Sequence, residues 1–437
     1  MFRVESTALS DLSRFVRSTA ARGILVVQPR MGWGTAAAMR RGLESVRINC
    51  AHAVGTITLD SYTRVGDYRT PLECLCHGDA LNGYPIVSHP VSTTQAIIAG
   101  ICDDGFPVQV RHGTSQPQDI FKRMVAIGLD ATEGGPISYC LPYGRTPLAT
   151  AIRAWQESCR ILASETRHCH IESFGGCLMG QLCPPSLLIA VSLLECLFFI
   201  EQGVTSVSLS YAQGTSYLQD RAALRVMREL ASRLLEQVDW HVVVYTYMGC
   251  FPETDRGAYM LIADSARLAR ESACERLIVK TRAESRQIPT LEDNLIGLHT
   301  AELAARNAPT VHRPSPEEIG YYEEIRSEAE LLLETVLNLR KDVSTALLVA
   351  FRHGILDVPY CLHPDNRGNT RSRIDERGLL QWTATGNLPF RCSKRDHTRH
   401  TSSVEFLRQL SYVASRYDTG GDLGGPGPQC GADLGES

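Results

Sequence analysis

The sequence predicts an α/β protein, a TIM (β/α)8 barrel followed by a C-terminal extension. Three observations carry that expectation. Short β-type runs alternate with helical patterns from Ile24 to Thr281, the order that gives right-handed βαβ units and a parallel sheet. No run leads into a G-x-G-x-x-G turn or a Walker-type loop, so an open doubly wound sheet, the alternative, lacks its phosphate-binding signatures. Arginines follow three of the runs, at Arg30, Arg64 and Arg111. Parallel barrel strands bring such positions to one mouth, where these folds keep their chemistry.

The runs, in order, are Ile24–Gln28, Gly55–Asp60, Phe106–Arg111, Leu129–Glu133, His170–Phe174, Val204–Tyr211, His241–Met248 and Arg276–Thr281. A weaker run at Tyr84–Val87 is one too many for eight barrel positions and is set outside the barrel. Between the runs, Thr35–Val46, Pro117–Ile127, Arg145–Ala163, Pro185–Gln202, Gln219–Gln237 and Asp255–Glu271 read as helices. The longest apolar stretch, Leu187 to Ile200, is broken by Ser192 and Glu195 and is too short to span a bilayer, so it reads as a buried helix. The expected organisation is an N-terminal helical segment (1–22), the barrel (23–315), a helical and mixed extension (316–391) and a tail (392–437). Within the extension, Pro316–Leu347 is helical; the tail is polar, glycine-rich and expected to be disordered.

Apolar residues at 43% and charged residues at 21% describe an ordinary globular protein. A net charge of −4 offers no electrostatic footprint for nucleic acid or an anionic membrane. Met1 to Ala21 has no apolar core segment, so no secretory signal is expected and the chain reads as cytoplasmic. The 15 cysteines then read as free thiols. Cys74-Leu75-Cys76-His77 and His168-Cys169-His170 have the residue types of metal ligands. Neither has a second pair at structural zinc spacing, and a strand would put Cys169 on the face opposite His168 and His170. No metal site is expected.

Three guanidiniums in one mouth can hold two carboxylates, because each fork can bond a carboxylate bidentately. The bland alternative is three solvated surface arginines. Glu133 precedes Gly134-Gly135-Pro136, where backbone can approach a ligand closely. Facing arginines, its carboxylate stays ionised and can bind an ammonium group or move a proton; otherwise it is a capping or solvated glutamate. Tyr139 and Tyr143 either orient a bound carboxylate through their phenols or are half-buried tyrosines. Lys280 and Glu284 are an i, i+4 pair, a local ion pair or a grip on a ribose diol at the rim. Residue types and spacing reach a barrel enzyme handling a small dicarboxylic acid, and stop there.

Longer motifs carry the reading further. Gln28-Pro29-Arg30-Met31-Gly32, Asp60-Ser61-Tyr62-Thr63-Arg64, Leu81-Asn82-Gly83-Tyr84-Pro85, Arg111-His112-Gly113-Thr114 and Glu133-Gly134-Gly135 with Ile137-Ser138-Tyr139 occur in that order. Gly180 to Ser186, Met248-Gly249-Cys250-Phe251-Pro252 and Val279-Lys280-Thr281 follow. Together they resemble the epsilon subunit of adenosylcobalamin-dependent glutamate mutase, also called methylaspartate mutase, from about Gly23 to Phe390.

The resemblance implies a TIM barrel that rearranges the carbon skeleton of L-glutamate to (2S,3S)-3-methylaspartate through a 5′-deoxyadenosyl radical. It implies Arg30, Arg64, Arg111, His112, Tyr139 and Tyr143 as substrate-binding residues, and Glu133 as both ammonium ligand and catalytic base. Gly32, Asn82, Pro142, Phe251, Lys280, Glu284 and Ile288 match positions facing the coenzyme. It also implies a partner, a small sigma subunit that carries cobalamin on an Asp-x-His-x-x-Gly motif, in a heterotetramer around an epsilon dimer. Here the near match, Asp239-Trp240-His241-Val242-Val243-Val244, lacks the glycine and runs into a strand. The readings that compete are a related cobalamin mutase for another amino diacid, a corrinoid-binding scaffold without catalysis, and a cofactor-independent diacid lyase on the same barrel.

Overall fold

The computed structural model describes residues 11–142, 144–178, 182–309, 313–392 and 402–421. Eight parallel strands form the centre: β1 (Val26–Pro29), β2 (Gly55–Thr58), β3 (Val108–Arg111), β4 (Ala131–Gly134), β5 (His170–Ser173), β6 (Ser206–Ala212), β7 (Asp239–Tyr245) and β8 (Arg276–Val279). Sequence neighbours pair from β2 to β8, and β8 pairs with β1. A bridge between Val27 and Ala53 joins β1 to the approach of β2, with Val54 N donating to Val27 O at 3.0 Å. The result is a nearly closed TIM-like barrel. Each strand matches a run expected from sequence, and Tyr84 contributes only a bridge to Leu59.

Helices follow the strands and cover the barrel. The first are α1 (Asp11–Ala21), α2 (Ala36–Asn49), α3 (Ser61–Arg64), α4 (Thr70–His77), α5 (Val91–Ile98), α6 (Gln118–Ile127) and α7 (Leu148–Glu165). Then come α8 (Pro185–Glu201), α9 (Tyr217–Leu234), α10 (Asp255–Glu271) and α11 (Leu291–Asn307). The apolar stretch is indeed a buried helix: all but a few residues of α8 lie in the core. Among the described residues no helix is long and apolar enough to cross a membrane.

The inward faces of the strands fall into three layers. At the N-terminal end, Leu12, Phe15 and Val16 of α1 pack on Val26, Val54 and Ala131 and plug the barrel. The middle layer is polar. Arg276 and Glu172 are fully buried and ion-paired there, with Gln28, Gln109 and Ser208 bonded around them. The C-terminal layer is the mouth.

The structure corrects several sequence expectations. Strand β2 stops at Thr58 because Asp60 caps α3, accepting from Tyr62 N (2.9 Å) and Thr63 N (3.0 Å). Pro316–Leu347 is two helices, α12 (Pro316–Leu337) and α13 (Val343–His353), since Asp342 caps a new start by accepting from Thr345 N at 2.7 Å. Helix α11 was not among the expected helices; Thr290 and Asp293 form its capping box. Strand β5 begins at His170, so His168 lies in the bend before it and does not share its face. The extension adds an antiparallel pair, β9 (Thr370–Ile374) and β10 (Leu380–Thr385).

The tail expected to be disordered from 392 instead contains α14 (Ser403–Leu410) and α15 (Tyr412–Asp418). Val413 and Tyr417 are buried, and Asp418 accepts from the backbone N–H groups of Glu253 and Thr254 at the start of α10. Tail residues 393–401 and 422–437, and the first ten of the N-terminal segment, lie outside the described residues. The 14 described cysteines are free thiols.

Candidate functional site at the barrel mouth

Glu133, the penultimate residue of β4, faces inward and is 1% exposed. Arg111, at the end of β3, places Nε 2.9 Å from Glu133 Oε2. Tyr245, at the end of β7, reaches across the barrel and donates to Glu133 Oε2 at 2.7 Å, while Tyr139 donates to Oε1. Burial alone would raise the carboxyl, but Arg111 and the two phenols outweigh it and hold Glu133 below the usual carboxylate range. An ionised, buried carboxylate therefore sits beside a guanidinium 4% exposed, with phenols fixing both carboxylate oxygens.

The loop after β4 owes its shape to a residue outside the expected set. Glu195, in the middle of apolar α8, accepts from Ile137 N (3.0 Å), Ser138 N (2.8 Å), Ser138 Oγ (3.0 Å) and Ser173 Oγ (2.8 Å). Burial pushes its carboxyl up to about 7, against those hydrogen bonds. A Cβ on Gly135 would lie 2.0 Å from Glu195 Oε1, so glycine is required for this approach. The loop so held carries Tyr139 onto Glu133.

His112 follows Arg111 and is stacked on Trp155 and edge-on to Tyr139. Its Nδ1 accepts from Thr114 N at 3.2 Å, leaving the ring proton on Nε2, which has no hydrogen-bond partner among the described residues. Burial, opposed by Glu133 and reinforced by Arg64, drives the imidazole down to about 3, so it is neutral. Arg64 donates through Nε and Nη2 to Leu59 O (3.1 and 2.9 Å), and its side chain lies 3.6–3.8 Å from where a Cβ on Gly113 would stand.

The third arginine joins a second cluster on the same mouth. Glu284 Oε2 is 3.2 Å from Arg30 Nη1 and 3.5 Å from Lys280 Nζ. Lys280 stands 5.1 Å from the centre of the Phe251 ring. Burial would raise Glu284, but Arg30, Lys280 and Arg111 together hold it low. Three cations (Arg30, Arg111 and Lys280) thus meet two carboxylates, Glu133 and Glu284, an excess of positive charge suited to an anionic ligand. Gly32 packs against the end of β2, where a Cβ would meet Thr58 O at 2.2 Å. Asn82 accepts from Ser61 N at 3.0 Å, Pro142 is half-buried near Tyr139, and Ile288 is 52% exposed at the rim. Tyr143 lies outside the described residues.

Neither cysteine–histidine motif gathers a metal-ligand set among the described residues. Cys50, His299 and Glu302, which the sequence did not bring to notice, do put three ligand-type atoms within 4.8 Å of one another away from the mouth.

The model of the methylaspartate mutase E chain matches residues 8–405. The chain belongs to that family. Among curated relatives, the glutamate mutase epsilon subunit of Desulfitobacterium hafniense is 33% identical over 389 residues, 85% of this chain and 79% of the relative. The epsilon subunit of Yersinia enterocolitica is 30% identical over 395 residues, 87% of this chain and 81% of the relative. That of Haloarcula marismortui is 33% identical over 339 residues, covering 74% and 68%.

Within this family member, the structure brings Arg30, Arg111, Glu133, Tyr139, Lys280 and Glu284 into one connected mouth, with Arg64 and His112 alongside. Sequence reasoning missed Tyr245, Glu172 and Glu195. Tyr245 lies inside the run His241–Met248, Glu172 alternates inward with His170, and Glu195 interrupts an apolar helix; each is a polar side chain in a buried element.

Proposed function

We propose that this chain is the catalytic subunit of a glutamate mutase, converting L-glutamate to 3-methylaspartate with adenosylcobalamin carried by a separate small subunit. The Arg111–Glu133 pair, bracketed by Tyr139 and Tyr245 in a member of this family, is the observation that carries the reading. Arg64, Arg111 and Arg30 offer forks for the two substrate carboxylates, with His112 Nε2 as a further donor. Glu133, kept ionised, receives the substrate ammonium and serves as its proton acceptor. Tyr139 and Tyr143 complete the grip in the family pattern.

The residues present fit the coenzyme's nucleoside. The Glu284 carboxylate can accept from a ribose diol, the Lys280 ammonium can donate to it, and Phe251 offers an aromatic face beside them. Adenosylcobalamin bound there would supply the carbon-centred radical that abstracts substrate hydrogen. The chain's own part is positioning, worth roughly 7–11 kcal/mol of barrier in favourable cases, and keeping water from the mouth. A separate carrier is supported by His241: it is fully buried in β7, accepts from Arg276 Nε at 3.3 Å and stacks on His170, so it is not placed to ligate an outside cobalt.

The test is reconstitution. Purified chain, a cobalamin-binding partner bearing Asp-x-His-x-x-Gly, and adenosylcobalamin should together convert glutamate to 3-methylaspartate, and the chain with free coenzyme should not. Conversion without the partner would remove the two-subunit reading; no conversion with all three would remove the substrate assignment.

A further inference from the structure

The mouth rests on a second carboxylate that the substrate readings leave unused. Glu133 and Glu172 are direct neighbours in register on β4 and β5. Tyr245 touches both: its hydroxyl lies 2.7 Å from Glu133 Oε2 and in hydrogen-bond contact with Glu172 Oε1. Arg111 Nη2 also donates to the same phenol oxygen at 3.3 Å. A phenol has one proton, and an ionised carboxylate has none to give. Glu133 and Glu172 therefore compete for a single donor.

The competition is held in place from below. Glu172 Oε2 accepts from Arg276 Nη2, from Ser208 Oγ at 3.3 Å and from Gln109 Nε2 at 3.4 Å. Arg276 is in turn bonded to Gln28 and His241. Glu172 and Arg276 are both fully buried, so neither side chain can swing away to relieve the contest.

We propose that Tyr245 and Glu172 are positioning residues that set the basicity and aim of Glu133, Tyr245 by donating its hydroxyl proton and Glu172 by drawing that proton away. The proposal rests on the reading of Glu133 as the site's carboxylate. The groups facing this trio are Arg111 from β3, His112 just after it, Tyr139 from the loop after β4, Arg276 from β8, and the Cys177 thiol, whose titration burial pushes up.

Two variants separate the roles while leaving every charged partner in place. Tyr245→Phe removes the donor, so Glu133 should titrate about one unit higher. Glu172→Asp keeps the counter-ion of Arg276 but withdraws the competing oxygen by one methylene, so the phenol is released to Glu133, which should titrate lower. Glu133 is read in the isolated chain from the pH dependence of its carboxylate infrared band, assigned by subtraction of Glu133→Gln. In the reconstituted enzyme, the acid limb of kcat/KM should move the same way: up for Tyr245→Phe and down for Glu172→Asp. Loss of packing alone has no reason to produce opposite shifts. Shifts of the same sign, or none in either variant, would overturn the proposal. If the wild-type assembly does not isomerise glutamate, the functional reading fails, and the infrared titration still decides whether Tyr245 and Glu172 control Glu133.

Discussion

A buried carboxylate is tolerable only when charge and hydrogen bonds replace its water, and Glu133 has both in Arg111, Tyr139 and Tyr245. That economy makes it sensitive to small changes. Glu133→Gln preserves shape and removes the charge, and kcat should fall on the order of 10²–10⁴-fold if the residue manages a proton. Glutamate should still bind through the arginines, which calorimetry would show; full turnover in the variant would reduce Glu133 to a structural residue. The neighbouring His112 gives a pH test that needs no substrate. Folded, its imidazole titrates at about 3; unfolded, at about 6.5. The unfolded chain thus takes up a proton the native state refuses, so stability falls as pH drops from about 6.5 toward 3. At pH 5 this one group should cost about 2 kcal/mol relative to neutral pH. Urea unfolding of wild type and His112→Asn should show that difference as a steeper pH dependence in the wild type; parallel profiles would mean that the ring is hydrated.

Elements translate these residues into a site, and the loop after β4 shows how. The Glu-Gly-Gly sequence was legible as a close approach of backbone to something, and Tyr139 as a partner of the arginines. What the backbone approaches was not legible. Glu195 lies 57 residues from Ser138 along the chain, and its place in an apolar helix marks it only as a buried polar group in need of partners. Tyr245 was hidden for a similar reason: following Val242-Val243-Val244, it reads as one more strand residue, and only the closed barrel turns it toward Glu133. The strands themselves were legible because short β-type runs recur between helical patterns, whereas their last residues were not, since a cap such as Asp60 decides where pairing ends. The dependence of the loop on Glu195 can be tested at Gly135. A methyl group there would stand 2.0 Å from the carboxylate, so Gly135→Ala should lose the Glu195 bonds and cost about 2 kcal/mol or more. It should also loosen Tyr139, seen as a rise in KM for glutamate. A Gly135→Ala chain with native stability and KM would show that the loop is held by other means.

At the scale of the whole molecule, the barrel is a polar column inside an apolar shell, closed below by α1 and open at the mouth, and its rim is braced by the end of the chain. The sequence of the tail reads as polar because the apolar contribution of α14 and α15 is small and spaced over two short helices, with Val413 and Tyr417 inward. Composition over such a window cannot register a docking contact made with an element more than a hundred residues earlier. Yet Asp418 braces the turn that leads into α10, whose cap is Thr254, by accepting from Glu253 N (2.9 Å), Thr254 N (2.8 Å) and Thr254 Oγ1 (2.6 Å), and Tyr417 donates to Asp264 Oδ2 at 2.8 Å. Its carboxylate also faces the positive end of the α10 dipole. Burial is outweighed by the Thr254 and Glu253 hydrogen bonds, which hold Asp418 below the usual carboxylate range. Its contribution is therefore present above about pH 4 and lost as pH falls through its folded value. Phe251 and Pro252 immediately precede the braced segment, so the brace reaches the Lys280–Glu284 side of the mouth. Asp418→Ala should cost about 1 kcal/mol, the usual net worth of a lost hydrogen-bonding side chain, and the loss should vanish in strong acid. Truncation after residue 401 should cost more, about 3 kcal/mol, because burial of Tyr417 and Val413 goes with it. Urea midpoints of the three chains at neutral pH would order as wild type, Asp418→Ala, truncation. The truncated chain, reconstituted with partner and coenzyme, should also need more coenzyme for half-maximal rate. Equal midpoints would show that α14 and α15 rest on the barrel without supporting it.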